Sequence, residues 1–141
     1  MAITGECLCG GIQFEVASVP VIGLCHCSRC RKAYGGPFAI EAVIPSSDFR
    51  LTSGADLVRT DQSSGDAHRA FCRVCGSRAP FSALDGKVQL VPAGLFIDDP
   101  GVKPSFHMFV GSKAPWWDIT DELPQYEEWI PGYGPSDESS D

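Results

Sequence analysis

Three features of the sequence predict a mainly β protein pinned by metal. Short apolar or alternating runs recur with Ser/Gly/Asp turns about every 8–12 residues, the pattern of an all-β fold. Helix signals are few and short. Seven cysteines fall into three tight clusters. The 141 residues are 43% hydrophobic and 21% charged, an ordinary globular composition, and a chain this long buries enough surface for its own core. The expected organisation is one zinc-binding domain over residues 1–130 and a solvated acidic tail over 131–141, a segment with almost nothing to bury.

Taken in order, residues 11–16 alternate apolar and polar side chains and read as a half-buried strand. Residues 21–24 form a short apolar run into Cys25, and residues 38–44 form another that Pro45 stops. Runs at 49–52, 57–60 and 68–71 are separated by turn residues. Residues 79–82 precede a turn at Asp85-Gly86, residues 87–91 alternate again, and 105–110 make the last strand. Two short helices are expected. Residues 28–34 are closed by Gly35-Gly36, and residues 124–129 begin with Pro124, which suits a first helical position.

Charge and hydropathy narrow the function. The formal net charge of −7 makes the chain a poor general binder of nucleic acid or anionic membrane. No apolar run approaches the roughly 20 residues of a membrane span. The first residues are neither basic nor apolar, so no signal peptide is expected and the cytoplasm is the expected compartment. Disulfides are disfavoured there, and seven thiols cannot all pair, so the clusters point to metal or redox chemistry.

The clusters are Cys7-Leu8-Cys9-Gly10, Cys25-His26-Cys27-Ser28-Arg29-Cys30 and Cys72-Arg73-Val74-Cys75-Gly76. A structural zinc takes four ligands in a tetrahedron. The first and third clusters each offer two thiols followed by glycine, so Cys7 and Cys9 are expected to join Cys72 and Cys75 in a closed site. On a strand, residues two apart share a face, which suits chelation by Cys7 and Cys9. Cys25, Cys27 and Cys30 are then left with one position open, the mark of a catalytic site, unless His26, His68 or His107 closes it. A redox pair at Cys72 and Cys75 would want a βαβ context, which the sequence lacks. His26, between two ligands, reads as a residue of the site's surroundings and the candidate proton shuttle. Arg29, Arg31 and Lys32 form either a solvated face or a cradle for an anionic substrate. Phe38, Trp116 and Trp117 are candidate pocket walls, against ordinary packing.

These motifs resemble the glutathione-dependent formaldehyde-activating enzyme family, which also contains centromere protein V. The ordered set Cys-x-Cys-Gly, Cys-His-Cys-x-x-Cys-Arg-Lys and Phe-Cys-x-x-Cys-Gly carries the resemblance. Gly35-Gly36-Pro37-Phe38, His107 in Phe-His-Met-Phe-Val, Ser112-Lys113-x-Pro-Trp116 and Asp121-x-Leu123-Pro124-Gln125-Tyr126 extend it over residues 3–130. It implies a β-tent fold with one structural zinc and a second, catalytic zinc at Cys25, Cys27 and Cys30. It further implies carbon–sulfur lyase-type chemistry, the condensation of glutathione with formaldehyde to S-hydroxymethylglutathione. The chain is short for the namesake enzyme, and nothing local encodes glutathione binding. A non-catalytic zinc-stabilised binding module is the alternative. A redox sensor at the second cluster is a further one.

Overall fold

The computed structural model describes residues 2–64 and 67–132. From residue 133 onward the expected acidic tail lies outside the described residues, as does the side chain of His68. The strands are β1 (Ile3–Glu6), β2 (Gln13–Val16), β3 (Val21–Cys25), β4 (Ala39–Pro45), β5 (Phe49–Ser53), β6 (Val58–Ser64), β7 (Ala67–Cys72), β8 (Arg78–Ala79), β9 (Phe81–Ala83), β10 (Val88–Pro92) and β11 (Pro104–Met108). One α-helix, α1 (Ser28–Tyr34), stands between β3 and β4. The mainly β expectation holds.

The chain divides into two compact units, Met1–Ile22 with Ile40–Pro104, and Gly23–Ala39 with Ser105–Asp141. In the first unit β2 pairs antiparallel with β1 and β5, placing Gly5 opposite Phe14 and Phe14 opposite Leu51. Alternation in β2 buries Phe14 and Val16 and leaves Gln13 exposed. With Val19, Ile22, Ala42, Ile44 and Val91 they form the main core. Each such side chain contributes about 1.5–3 kcal/mol when fully buried. The antiparallel pair β6–β7 sets Val58 opposite Cys72, and β7–β8 sets Ala70 opposite Ala79. A smaller core of Cys7, Ile12, Ala70, Cys72 and Ala79 forms there, so two of the candidate metal ligands are also packing residues.

In the second unit β11 lies beside β3, and the His26 N–H donates to the Met108 carbonyl at 2.9 Å. Cys25, Cys30 and Ala39 form its buried centre, with Cys27, Tyr34, Met108 and Phe109 packed around them.

Four local expectations are corrected. Residues 124–129 are not a helix. The Pro124 carbonyl accepts from the His107 N–H, and the Tyr126 N–H donates to the His107 carbonyl, so this segment's backbone pairs with β11 instead. The 79–82 run is two strands, because Pro80 has no N–H to continue a ladder. The 105–110 run ends at Met108, because Phe109 turns to φ 59° and opens a short 3-10 turn. Cys7 and Cys9 sit in a turn after β1, not on a strand.

Candidate metal centre

The four-thiol cluster is built by two tight turns of the first unit. After β1 the Gly10 N–H donates to the Cys7 carbonyl at 3.0 Å, and after β7 the Gly76 N–H donates to the Cys72 carbonyl at 2.8 Å. Both glycines adopt left-handed φ, 76° and 78°, which a side chain would resist. The sulfurs of Cys7, Cys9, Cys72 and Cys75 all lie within 4.8 Å of one another. Tetrahedral zinc–sulfur bonds of about 2.3 Å would place sulfurs about 3.8 Å apart. Cys7 and Cys9 are 3.5 Å apart and Cys9 and Cys72 3.8 Å, so the donor set fits such an ion.

The surrounding N–H groups already favour thiolates. The Ile12 N–H lies 3.3 Å from Cys7 Sγ. Burial pushes the Cys7 thiol up, but this N–H and the facing sulfurs of Cys9 and Cys72 hold it below the ordinary value. The Ser77 hydroxyl, 3.4 Å from Cys75 Sγ, and the Ser77 N–H bring Cys75 down to about 5. Cys9 is pushed up to about 11: the Gly11 N–H lowers it, but the facing Cys7, burial, Cys75 and Cys72 together outweigh that. Ser77 Oγ also accepts from the Leu8 N–H at 2.9 Å and so fastens one cysteine turn to the other.

The three-thiol cluster is local. Cys25 ends β3, Cys27 caps α1 and Cys30 lies in its first turn. The Cys30 N–H lies 3.3 Å from Cys27 Sγ, so a sulfur performs the capping role usually given to an oxygen. The Gly35 N–H closes the helix on the Arg31 carbonyl at 2.8 Å, with Gly35 at φ 68° as the sequence predicts. All three sulfurs lie within 4.8 Å of one another, and no fourth donor joins them among the described residues. Cys25 and Cys30 face Cys27 and hold its thiol down to about 2, while hydrogen bonding to Cys27 and Cys30, and then burial, push Cys25 far up. This is a set of soft donors compatible with zinc.

His26 is not a member of that donor set. It is fully buried, and its Nε2 lies 2.8 Å from Nδ1 of His107, itself 2% exposed. His107 Nε2 lies 3.0 Å from Oδ2 and 3.1 Å from Oδ1 of Asp121. Burial brings His26 down to about 4, aided by the His107 ring and by the Lys113 and Arg31 charges. Asp121 is held below the usual carboxylate range by His107 and by the Leu123 N–H. Phe38 packs on His26 at 5.1 Å between ring centroids and on Trp117 at 5.7 Å. Trp116 is 66% exposed. Arg29 and Lys32 lie on the exposed side of α1, whereas Arg31 is half-buried, with its Nε buried and without a hydrogen-bond partner.

Sequence reasoning offered His107 only as a possible fourth ligand and a motif residue, met Asp121 only within a family motif, gave neither a role beside His26, and did not single out Ser77. A lone histidine and an aspartate 14 residues on give no local signal. Only the fold brings them together.

The family model described as glutathione-dependent formaldehyde-activating enzyme matches residues 2–112. A Halomonas elongata protein bearing the name "Putative glutathione-dependent formaldehyde-activating enzyme" is 28% identical over 94% of this chain and 89% of its own. A Fusarium vanettenii protein of the same name is 28% identical over 76% of this chain and 61% of its own. An uncharacterized lyase of Schizosaccharomyces pombe is 31% identical over 59% of each chain. The chain thus spans about 60% of the length of the last two. A crystal structure of a Rhodobacter sphaeroides protein aligns over 72% of this chain and 91% of its own, with a TM-score of 0.56 and 29% identity. With the family model covering most of the chain and the three cysteine clusters in place, this protein belongs to the glutathione-dependent formaldehyde-activating enzyme family.

Proposed function

We propose that the protein is a zinc-dependent carbon–sulfur lyase-type enzyme that joins a small thiol, glutathione in the family's namesake reaction, to an aldehyde such as formaldehyde. The reading rests on one observation, a cluster of three thiols from a single short segment that no fourth protein donor completes among the described residues. The four-thiol cluster is then structural and the three-thiol cluster is the reaction site. Zinc bound there supplies a soft cation that favours the thiolate form of a substrate thiol.

The chain's own residues do the rest. Cys25, Cys27 and Cys30 hold the ion. Arg29, Arg31 and Lys32 bind the anionic parts of the thiol, Arg31 with a buried Nε that has no internal partner. His26 carries the proton. In the addition the thiol S–H bond breaks and an S–C bond forms. The carbonyl π pair moves to oxygen, and the proton passes from sulfur to that oxygen by way of His26. The reverse reaction is carbon–sulfur cleavage.

Exchange NMR with 13C-formaldehyde and glutathione tests this, with the uncatalysed addition as baseline. The zinc-loaded protein is expected to accelerate exchange in proportion to its concentration, and the Cys27→Ser protein is not. Equal rates for both proteins would favour the binding module over the enzyme.

A further inference from the structure

The two buried histidines and the half-exposed carboxylate make a directional chain. A carboxylate only accepts hydrogen bonds, so His107 Nε2, 3.0 Å from Asp121 Oδ2, carries a proton. Taken in its neutral form, His107 has one proton, and its Nδ1 is then an acceptor. His26 Nε2, 2.8 Å away, must then be the donor. By the same count His26 Nδ1 holds a lone pair. That nitrogen is buried and has no hydrogen-bond partner. A buried unpartnered nitrogen costs free energy, so a fold that keeps one calls for an explanation. The His26 ring is also held from other sides, by the Phe38 ring 5.1 Å away and by its backbone bond to β11.

We infer that Asp121 and His107 are positioning residues that lock His26 in the Nε2–H tautomer and so keep the ring's lone pair on Nδ1. The link to catalysis rests on the activity proposed above, and the tautomer itself does not. Asp121 Oδ1 accepts from the Leu123 N–H at 2.9 Å. In Asp121→Asn that N–H keeps the amide oxygen in the same place, and the amide NH2 faces His107 Nε2. The amide oxygen, 3.1 Å from Nε2, competes as an acceptor, but the nearer NH2 position at 3.0 Å sets a donor against an Nε2–H, so His107 is expected to accept at Nε2 and donate from Nδ1. His26 is left to accept at Nε2 and carry its proton on Nδ1. A comparable Asp→Asn change in a Ser-His-Asp triad reverses a tautomer and costs about 10⁴-fold in kcat with the geometry intact.

The test is 15N NMR of the imidazole rings at one fixed pH, on metal-loaded wild type, Asp121→Asn and Asp121→Glu. Wild type and Asp121→Glu are expected to show His26 as Nε2–H, and Asp121→Asn as Nδ1–H. Asp121 has 45% of its side chain exposed, so the variants are expected to fold, with unchanged zinc content. The thiol–aldehyde kcat is expected to fall about 10²-fold or more in Asp121→Asn, with KM unchanged and recovery in Asp121→Glu. Wild-type His26 in the Nδ1–H form, or no change of tautomer in Asp121→Asn, overturns the inference. So does full kcat in an Asp121→Asn protein of inverted tautomer. A wild type that follows the tautomer pattern yet adds no thiol faster than buffer would instead retire the proposed activity and leave the array standing.

Discussion

The two thiol clusters use the same donor chemistry and differ in where the chain comes from. Cys9 and Cys72 are 63 residues apart, and their sulfurs meet at 3.8 Å. Cys25, Cys27 and Cys30 come from one strand end and the first turn of one helix. An ion at the first cluster closes a long loop and shares its ligands with a packed core containing Ile12, Ala70 and Ala79. An ion at the second orders six residues that β3 and α1 already shape. With the same donor type at both, sequence separation is what would let an ion at the first cluster tie distant parts of the chain together and an ion at the second leave them as they are.

Removing one ligand from each cluster gives the largest expected contrast. Binding of a structural zinc is folding free energy, of order 10 kcal/mol, against a whole-domain stability of about 5–15 kcal/mol. Cys72→Ser is therefore expected to lose its cooperative melt or precipitate. Cys27→Ser is expected to melt cooperatively near the wild-type temperature with one zinc fewer. Thermal circular dichroism with metal analysis of the same samples reads both. Equal destabilisation would mean that both ions are structural and would remove the main physical support for a reaction site.

Chelation sharpens the same contrast in one molecule. A metal-sensitive dye under excess chelator is expected to report two phases of about one zinc each. The fast phase leaves the far-ultraviolet spectrum unchanged, and the slow phase coincides with unfolding. A single phase accompanied by unfolding would erase the distinction between the clusters.

What could be read in advance divides along the same line. Helix 28–34 and its Gly35 cap carry their signals within one segment, and both are found as expected. The grouping of Cys7 and Cys9 with Cys72 and Cys75 followed from counting donors, because tetrahedral coordination needs four. Features set by distant partners were not legible. Residues 124–129 carry helix-forming signals, yet β11 takes their backbone hydrogen bonds. Strand β1, Ile-Thr-Gly-Glu, has too little apolar pattern to be recognised, and pairing with β2 makes it a strand. In the Asp121–His107–His26 array the two hydrogen-bonded histidines are 81 positions apart, and no periodicity encodes it.

Ser77→Ala probes the support of the closed cluster without touching a ligand. It removes the acceptor of the Leu8 N–H and the hydroxyl beside Cys75. The hydrogen bond is worth about 0.5–1.5 kcal/mol. Loss of a group that orients metal ligands lowers metal affinity about 10–100-fold. The folded variant is expected to keep both ions when zinc is plentiful and to release the closed-site ion measurably faster to chelator. An unchanged release rate would mean that the two cysteine turns need no fastening beyond the ion itself.

The smallest expected effect concerns the exposed cations of α1 and asks whether the open cluster has a substrate side at all. Lys32 lies in the last helical turn, where a positive charge also favours the helix dipole by about 0.3–1 kcal/mol. Lys32→Ala keeps a good helix former, so the melting temperature is expected to move by no more than a few degrees. If Lys32 only solvates the surface, kinetics with any thiol stay the same. If it meets an anionic substrate, the screened pair is worth about 0.2–1 kcal/mol, or about 1.4- to 5-fold in KM. That rise is expected for glutathione and not for an uncharged thiol such as 2-mercaptoethanol, with kcat unchanged for both. The two thiols share the reacting sulfur and differ in charge, so the ratio of their KM values cancels any general damage to the helix. Lys32→Glu is expected to widen the ratio in the same direction, and raised salt to narrow it. A ratio that stays at its wild-type value in both variants would return Lys32 to the solvated face and leave recognition of the thiol to the half-buried Arg31.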